Sequence, residues 1–184
     1  MGMRCLFFNM ILVGQIIKLR PMTIDEKSLF FEMATKSDAT PYLYGEKYGD
    51  KIPTWDEMFD DYGEYYFDGS QLEKGRCFAI LLNNEIIGQV NYNNIDRQIN
   101  SVELDIWISK NSNTGKGAGS DALKTLMKYL QEEMKVYNFI ICPSVYNLRA
   151  IKGYQNAEFK IVKKYLDDKG AENYCMEIRR RKVS

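Results

Sequence analysis

Hydrophobic and polar positions alternate along one stretch of the chain and recur at helical spacing along another. Val102, Leu104, Ile106 and Ile108 alternate with Glu103, Asp105 and Trp107, the two-residue period of a strand. Cys77 to Leu82 and Ile86 to Tyr92 are rich in strand formers, and Asn83-Asn84 between them tolerates the positive φ of a tight hairpin. Leu123, Leu126, Met127, Leu130 and Met134 fall on one helical face. Upstream, Ile16 to Arg20 reads as a strand ended by Pro21, and Thr23 or Asp25 is placed to cap a helix running to about Ala34. Thr54-Trp55-Asp56-Glu57 has the spacing of a capping box, in which Thr54 and Glu57 satisfy each other's backbone donors. Downstream, Phe139 to Cys142 is a short buried strand stopped by Pro143, and Leu148 to Gln155 a short helix. Phe159 to Leu166 and Tyr174 to Ile178 flank the turn Asp167-Asp168-Lys169-Gly170.

Hairpins followed by helical crossovers predict an α+β domain with a mixed, mostly antiparallel sheet of about six to seven strands. The 184 residues suit one domain over 15–184, with 1–14 as an N-terminal extension. Arg4 precedes an apolar run from Cys5 to Val13, which is too short for a membrane span and lacks a small-x-small cleavage site. That run is expected to pair or pack.

Composition then narrows the chemistry. There is no histidine, so Ser-His-Asp systems, HExxH zinc sites and histidine-bound haem are excluded. A general base must be a carboxylate, tyrosine, cysteine, lysine or water. Four cysteines lie far apart without a CxxC pair, which fits reduced thiols in a cytoplasmic protein and no metal site. Twenty-five basic residues balance twenty-five acidic ones, against the basic excess of a nucleic-acid binder. Arg179-Arg180-Arg181-Lys182 reads as a solvated tail.

The central motif is Thr114-Gly115-Lys116-Gly117-Ala118-Gly119-Ser120, between a strand and an amphipathic helix. Glycines let backbone approach a ligand, and the first helical N–H groups with the helix dipole favour phosphate. The spacing is neither GxxxxGK[ST] nor a dinucleotide GxGxxG after the first strand of a βαβ unit.

The loop resembles that of the GNAT N-acetyltransferase superfamily, whose Arg/Gln-x-x-Gly-x-Gly/Ala signature falls on Thr114 to Gly119, with Thr114 at the usual Arg/Gln position and Lys116 as an alternative cation. Pro143-Ser144-Val145-Tyr146-Asn147-Leu148-Arg149-Ala150-Ile151-Lys152-Gly153-Tyr154 through Phe159 is similar to the family's second pattern, with Glu158 in place of its glycine. The resemblance covers residues 15–180 and implies the GNAT fold and acetyl-CoA as co-substrate. It implies that Ile106, Trp107, Ile108, Thr114, Gly115, Lys116, Gly117, Ala118, Gly119, Ser120, Asn147, Ala150 and Tyr154 hold that cofactor. Asn147 would meet the pantetheine arm and Tyr154 the thioester sulfur. Among family members the chain looks most like aminoglycoside 6'-N-acetyltransferases, in which an aspartate at the position of Asp105 sits near the acceptor amine. Cys142 stands where those enzymes often carry an acidic residue.

A cationic acceptor also fits the residues themselves. Segment 45–73 carries nine acidic residues against two lysines, a net charge of −7, interleaved with nine aromatic side chains from 42 to 67. Carboxylates attract polyamines and aromatic faces accept cations or sugars. Segment 35–75 is thus the expected acceptor side, with Trp55, Tyr66, Glu103 and Asp105 as substrate-binding candidates. Asp105 is the candidate base, Tyr154 the candidate acid, and a backbone N–H near Ile106 to Ile108 the candidate donor to the acetyl carbonyl. The expected partner is a small cationic amine, an aminoglycoside first. A polyamine, a protein N-terminus and a non-catalytic CoA-binding module are the alternatives. Neither nucleic acid nor membrane is expected, and monomer and homodimer stay open.

Overall fold

The computed structural model describes residues 10–44 and 51–180. Eight strands form one sheet in the order β1-β2-β3-β4-β5-β6-β8-β7. These are β1 Leu12–Val13, β2 Lys18–Pro21, β3 Gly75–Leu82, β4 Glu85–Asp96, β5 Ser101–Ile108, β6 Asn138–Ile141, β7 Lys160–Leu166 and β8 Glu172–Arg179. Only β5 and β6 pair in parallel. The count exceeds the pattern's six to seven because Leu12–Val13 pairs as an edge strand with Leu19 and Lys18. The rest of the apolar start, residues 1–9 with Cys5, lies outside the described residues, as do 45–50 and 181–184.

Helices cover both faces. The first side carries α1 Lys27–Thr35, α2 Thr40–Leu43, α3 Trp55–Asp61 and α4 Tyr65–Asp68. A single 3-10 turn, Ile24–Glu26, precedes α1 where the sequence predicts the helix to begin. Their core joins Met22, Phe30, Met33, Met58, Phe67, Cys77, Ala79 and Trp107. Aromatic edges organise it: Phe30 meets Tyr62 at 4.8 Å, Trp107 at 5.1 Å and Phe67 at 5.4 Å between centroids. The larger core lies on the other side, under α5 Ala118–Glu132 and α6 Leu148–Asn156. The helical stripe predicted for α5 is buried through Leu123, Leu126, Met127 and Leu130, while Met134 packs beyond the helix end.

Local signals explain the boundaries. Asn83 and Asn84 take φ of 51° and 66°, the conformation that joins β3 to β4. Thr54 and Glu57 form the reciprocal cap of α3, with Thr54 N–H donating to the Glu57 carboxylate at 2.8 Å. Glu158, at the position of the family's glycine, takes φ 80° after α6. At Gly88 an added Cβ would stand 2.2 Å from the Trp107 carbonyl oxygen, so β4 approaches β5 there as only glycine allows.

A carboxylate ties the chain's beginning to its middle. Asp121, in the first turn of α5, accepts backbone N–H groups from Gln15 at 3.1 Å, Ile16 at 2.8 Å and Ile17 at 3.1 Å. Gly14 N–H closes the turn onto the Ile17 carbonyl at 2.9 Å. Residue 14 therefore lies inside the turn that joins β1 to β2 at the sheet edge.

Candidate active site

The site begins where two parallel strands part. β5 and β6 pair from Ser101 with Asn138 to Glu103 with Ile140, and the pairing ends there. β5 continues to Ile108 along β4, while Pro143, which has no N–H, follows the end of β6. Ser109 N–H donates to the Ile87 carbonyl at 2.9 Å across β4. By alternation the amides of Leu104, Ile106 and Ile108 face the gap instead.

A cleft of about 600 Å³ occupies this gap. Its walls are β5 from Glu103 to Ile108, the loop at Thr114, Gly115, Gly117, Gly119 and Ser120, the segment Cys142 to Ser144, and α6 at Asn147, Ala150 and Tyr154. The sequence candidates Ile106, Trp107, Ile108, Glu103 and Asp105 thus meet the glycine loop and α6 on one concave surface.

The loop is shaped for close backbone approach. Gly115 and Gly117 take φ of 73° and 88°. A Cβ at Gly115 or Gly153 would meet nothing within 4 Å, and at Gly117 or Gly119 only a single isoleucine methyl at 3.7 or 3.8 Å. This bare backbone leads into the N-terminus of a fifteen-residue helix, where unpaired N–H groups and the dipole favour an anion. Ser120 donates to the Gly153 carbonyl at 2.8 Å and fixes α5 to α6. The cleft therefore fits a ligand with a phosphate group and a slender arm. Two cofactor candidates are placed differently from expectation: Ala118 is buried and Lys116 exposed, and neither lines the cleft.

The cation near Thr114 comes from elsewhere. Arg149 on α6 donates to Asn111 at 2.7 Å and to Thr114 Oγ1 at 3.3 Å, and its guanidinium lies 4.5 Å from the Tyr42 ring. Arg149 sits inside the Asn-Leu-Arg-Ala motif, yet nothing in its spacing marks this reach. Asn147 lines the cleft while its side-chain oxygen caps α6 by accepting Ala150 N–H at 3.1 Å.

At the other end of the cleft are two carboxylates two residues apart on one face of β5. Asp105 accepts its neighbour Ile106 N–H at 2.8 Å and the Tyr62 hydroxyl at 3.3 Å. Burial raises its pKa against the lowering pull of these bonds. Glu103 is also raised, by desolvation first and the Asp105 charge second. Tyr154, on α6, is pushed well up by burial and then by Asp105, so it holds its proton at neutral pH.

Tyr62 is the residue that sequence reasoning left unassigned. It sits at the C-cap of α3, and only the packing of α3 on Phe30 turns its hydroxyl to Asp105. Two substrate candidates are not brought to the cleft. Trp55 packs against Phe31 and Phe59 with the Lys27 ammonium 5.9 Å from its ring centroid. Tyr66 is buried in the core under α1 to α4, and its hydroxyl donates at 2.8 Å to Asn93, which lines the cleft where Tyr66 itself does not. Among the described residues, none from 51 to 73 lines the cleft. Across 51–73 the aromatics pack on one another and on Phe30 and Phe31 instead.

Asn93 ends a buried polar column. Gln89 donates to Asn91 at 2.9 Å, and Asn91 to Asn93 at 2.7 Å, on the face of β4 beside Trp107, Asp105 and Glu103.

A family model described as an acetyltransferase (GNAT) domain matches residues 17–160. The chain belongs to the GNAT acetyltransferase family. It is an acetyltransferase with the α+β GNAT fold. No curated protein matches it. Among solved structures, it is similar to AAC(6')-Ib in complex with ribostamycin and coenzyme A, with 22% identity, a TM-score of 0.74, and 90% and 94% of the two chains covered. It is also similar to RimL, a ribosomal L7/L12 α-N-protein acetyltransferase in complex with coenzyme A, at 16% identity, TM-score 0.75 and 95% and 100% coverage. A third is a GNAT-family acetyltransferase from Bacillus anthracis, at 15% identity, TM-score 0.71 and 92% and 98% coverage. These likenesses are likenesses of fold. Among the described residues of this GNAT chain, no helix is long and apolar enough to cross a membrane, and no three metal-ligating side chains cluster.

Proposed function

We propose that this protein transfers the acetyl group of acetyl-CoA to a primary amine of a small polycation, an aminoglycoside 6'-amine first. One observation carries the reading. The Glu103 and Asp105 carboxylates share a concave surface with a bare glycine loop at a helix N-terminus. An acceptor cation and an anionic donor are thereby given opposite ends of one cleft. The family, and the aminoglycoside and coenzyme A held by AAC(6')-Ib, support that assignment.

Acetyl-CoA supplies the thioester acyl group. Its pyrophosphate would lie on the N–H groups of 115–120, with Arg149 beside Thr114 as the cation. The pantetheine arm would run between β5 and α6, past Asn147 and Ala150. Asp105 takes the proton from the attacking amine, directly or through water, and Glu103 holds a neighbouring ammonium. Ile106 N–H is engaged by Asp105, so the Ile108 amide is the donor aimed at the acetyl carbonyl. Tyr154, kept protonated by burial, gives its proton to the departing sulfur. A cytoplasmic setting accords with the free thiols of Cys77, Cys142 and Cys175.

A second reading is acetylation of a protein α-amine. RimL overlays equally well, and α3 lends no acidic wall to the cleft. Release of free thiol from acetyl-CoA on adding kanamycin, spermidine or an N-terminal peptide panel separates the readings. Turnover with kanamycin is the expected result; turnover with peptides alone would replace the first reading with the second. Tyr154→Phe should lower kcat by about 10²-fold with acetyl-CoA binding within about threefold by calorimetry. An unchanged kcat would remove Tyr154 as the acid.

A further inference from the structure

Two of the free cysteines stand directly across from each other. β6 pairs with β8 in the register Ile141 opposite Met176, which brings Cys142 opposite Cys175 at the next step. One step further, Tyr174 N–H donates to the Pro143 carbonyl at 2.9 Å. Antiparallel positions alternate between bonded and non-bonded pairs, so Cys142 and Cys175 occupy a non-bonded position. Cα atoms there are about 4.5 Å apart and side chains make their closest approach.

The face of the sheet is also fixed. Glu103 pairs with Ile140, so Cys142 and Cys175 share the face of Glu103 and Asp105. Cys142 lines the cleft together with Glu103, while Cys175 is buried. The Cys175 thiol also points to Glu177 Oε1 at 4.0 Å. Burial pushes the Cys142 thiol up to about 12, and burial with the Glu177 charge raises Cys175. Both sulfurs therefore stay protonated at neutral pH, and neither is an activated thiolate.

We propose that Cys142 and Cys175 form a dithiol site for trivalent organoarsenicals, ligands that engage two neighbouring thiols at once. In this step both S–H bonds break and two S–As bonds form. The two protons leave with the oxygen of the arsenoxide as one water, and no sulfur changes oxidation state. The balance requires no free thiolate. A reagent that consumes one thiolate at a time finds no ready partner here. The third described cysteine, Cys77, is fully buried in the core under α1 to α4. The bound arsenic would stand in the cleft wall on the face of Glu103, where its phenyl group would occupy acceptor space. Only this inhibitory consequence rests on the acetyl-transfer reading; capture itself does not.

The test uses the full chain and phenylarsine oxide. One phenylarsenic group per chain is expected by intact mass, with two hydrogens lost. Peptide mapping should place it between the Cys142 and Cys175 peptides. 2,3-Dimercaptopropanol should remove it and a monothiol at equal concentration should not. Iodoacetamide at neutral pH should label Cys142 at least tenfold more slowly than free cysteine. Cys142→Ser and Cys175→Ser should each abolish capture, with folding of both checked by circular dichroism. No adduct on the wild-type chain, or an adduct mapped to another cysteine, would overturn the site. Capture that leaves acetyl transfer intact would overturn its inhibitory placement beside Glu103.

Discussion

Asp105→Asn is expected to lower kcat by about 10²–10⁴-fold, the range for losing a positioned base. Acetyl-CoA affinity should stay within about threefold, because Asp105 lies on β5, away from the glycine loop proposed to hold the cofactor. Steady-state kinetics with kanamycin and calorimetry with coenzyme A measure the two. A loss below tenfold would leave Asp105 as a cation-binding group only. The same substitution should raise thermal stability at neutral pH. Burial raises the Asp105 pKa in the folded state, so the folded chain holds this proton more tightly than the unfolded one. The contribution is fully favourable below the ordinary carboxylate pKa of about 4 and is lost as pH rises toward the folded value. Asparagine removes that loss, and each kilocalorie per mole so recovered raises Tm by about 2–4 °C in a chain of this length. The advantage should vanish near pH 4 in melting curves, where both forms are neutral.

Tyr62 tunes the same group. Its hydroxyl donates to Asp105 and favours the ionised form, so Tyr62→Phe should move the acidic limb of the kcat/KM profile to higher pH. A limb that stays in place would make Tyr62 a packing residue against Phe30.

Gly117→Val is expected to raise KM for acetyl-CoA by tenfold or more, with a smaller change in kcat at saturation. Gly117 holds φ 88° at the N-cap of α5, a conformation that costs an ordinary L-residue about 1–2 kcal/mol and a β-branched one more. The nearest atom to an added Cβ is 3.7 Å away, an ordinary contact, so the cost at this position falls first on loop conformation. On the proposed placement of the cofactor, displaced loop amides would no longer converge on its pyrophosphate. An unchanged KM would move the phosphate contact elsewhere, to Arg149 first.

These effects trace which signals in the sequence carry structure. Asp105 and Glu103 could be placed because alternation on β5 is local, and local periodicity survives folding. The glycine loop was readable for the same reason, since φ values of 73° and 88° are a property of the glycines themselves. The pattern gave Trp55 and Tyr66 no distinct address, because an aromatic among carboxylates reads alike whether it faces a ligand or neighbouring rings. Phe31 and Phe59 claim Trp55, and the buried column at Asn93 claims Tyr66. Arg149 and Tyr62 were invisible for a different reason. Each acts on a residue about 40 positions away, Arg149 on Asn111 and Tyr62 on Asp105, and such reach depends on helix packing. β1 escaped the pattern because two residues give alternation nothing to repeat.

The Asp121 clip sets an order of events at the ribosome. Its donors, Gln15 to Ile17, are made more than one hundred residues before the carboxylate that receives them. At synthesis rates of about 5–20 residues per second, the first strands wait roughly 5–20 s for the head of α5 to emerge. During that interval their amides have water or other strand edges as partners, and the helix N-terminus that ends the cleft does not yet exist. The glycine-loop end of the cleft therefore forms late and together with closure of the sheet's first edge, so a nascent chain stalled before residue 121 has neither.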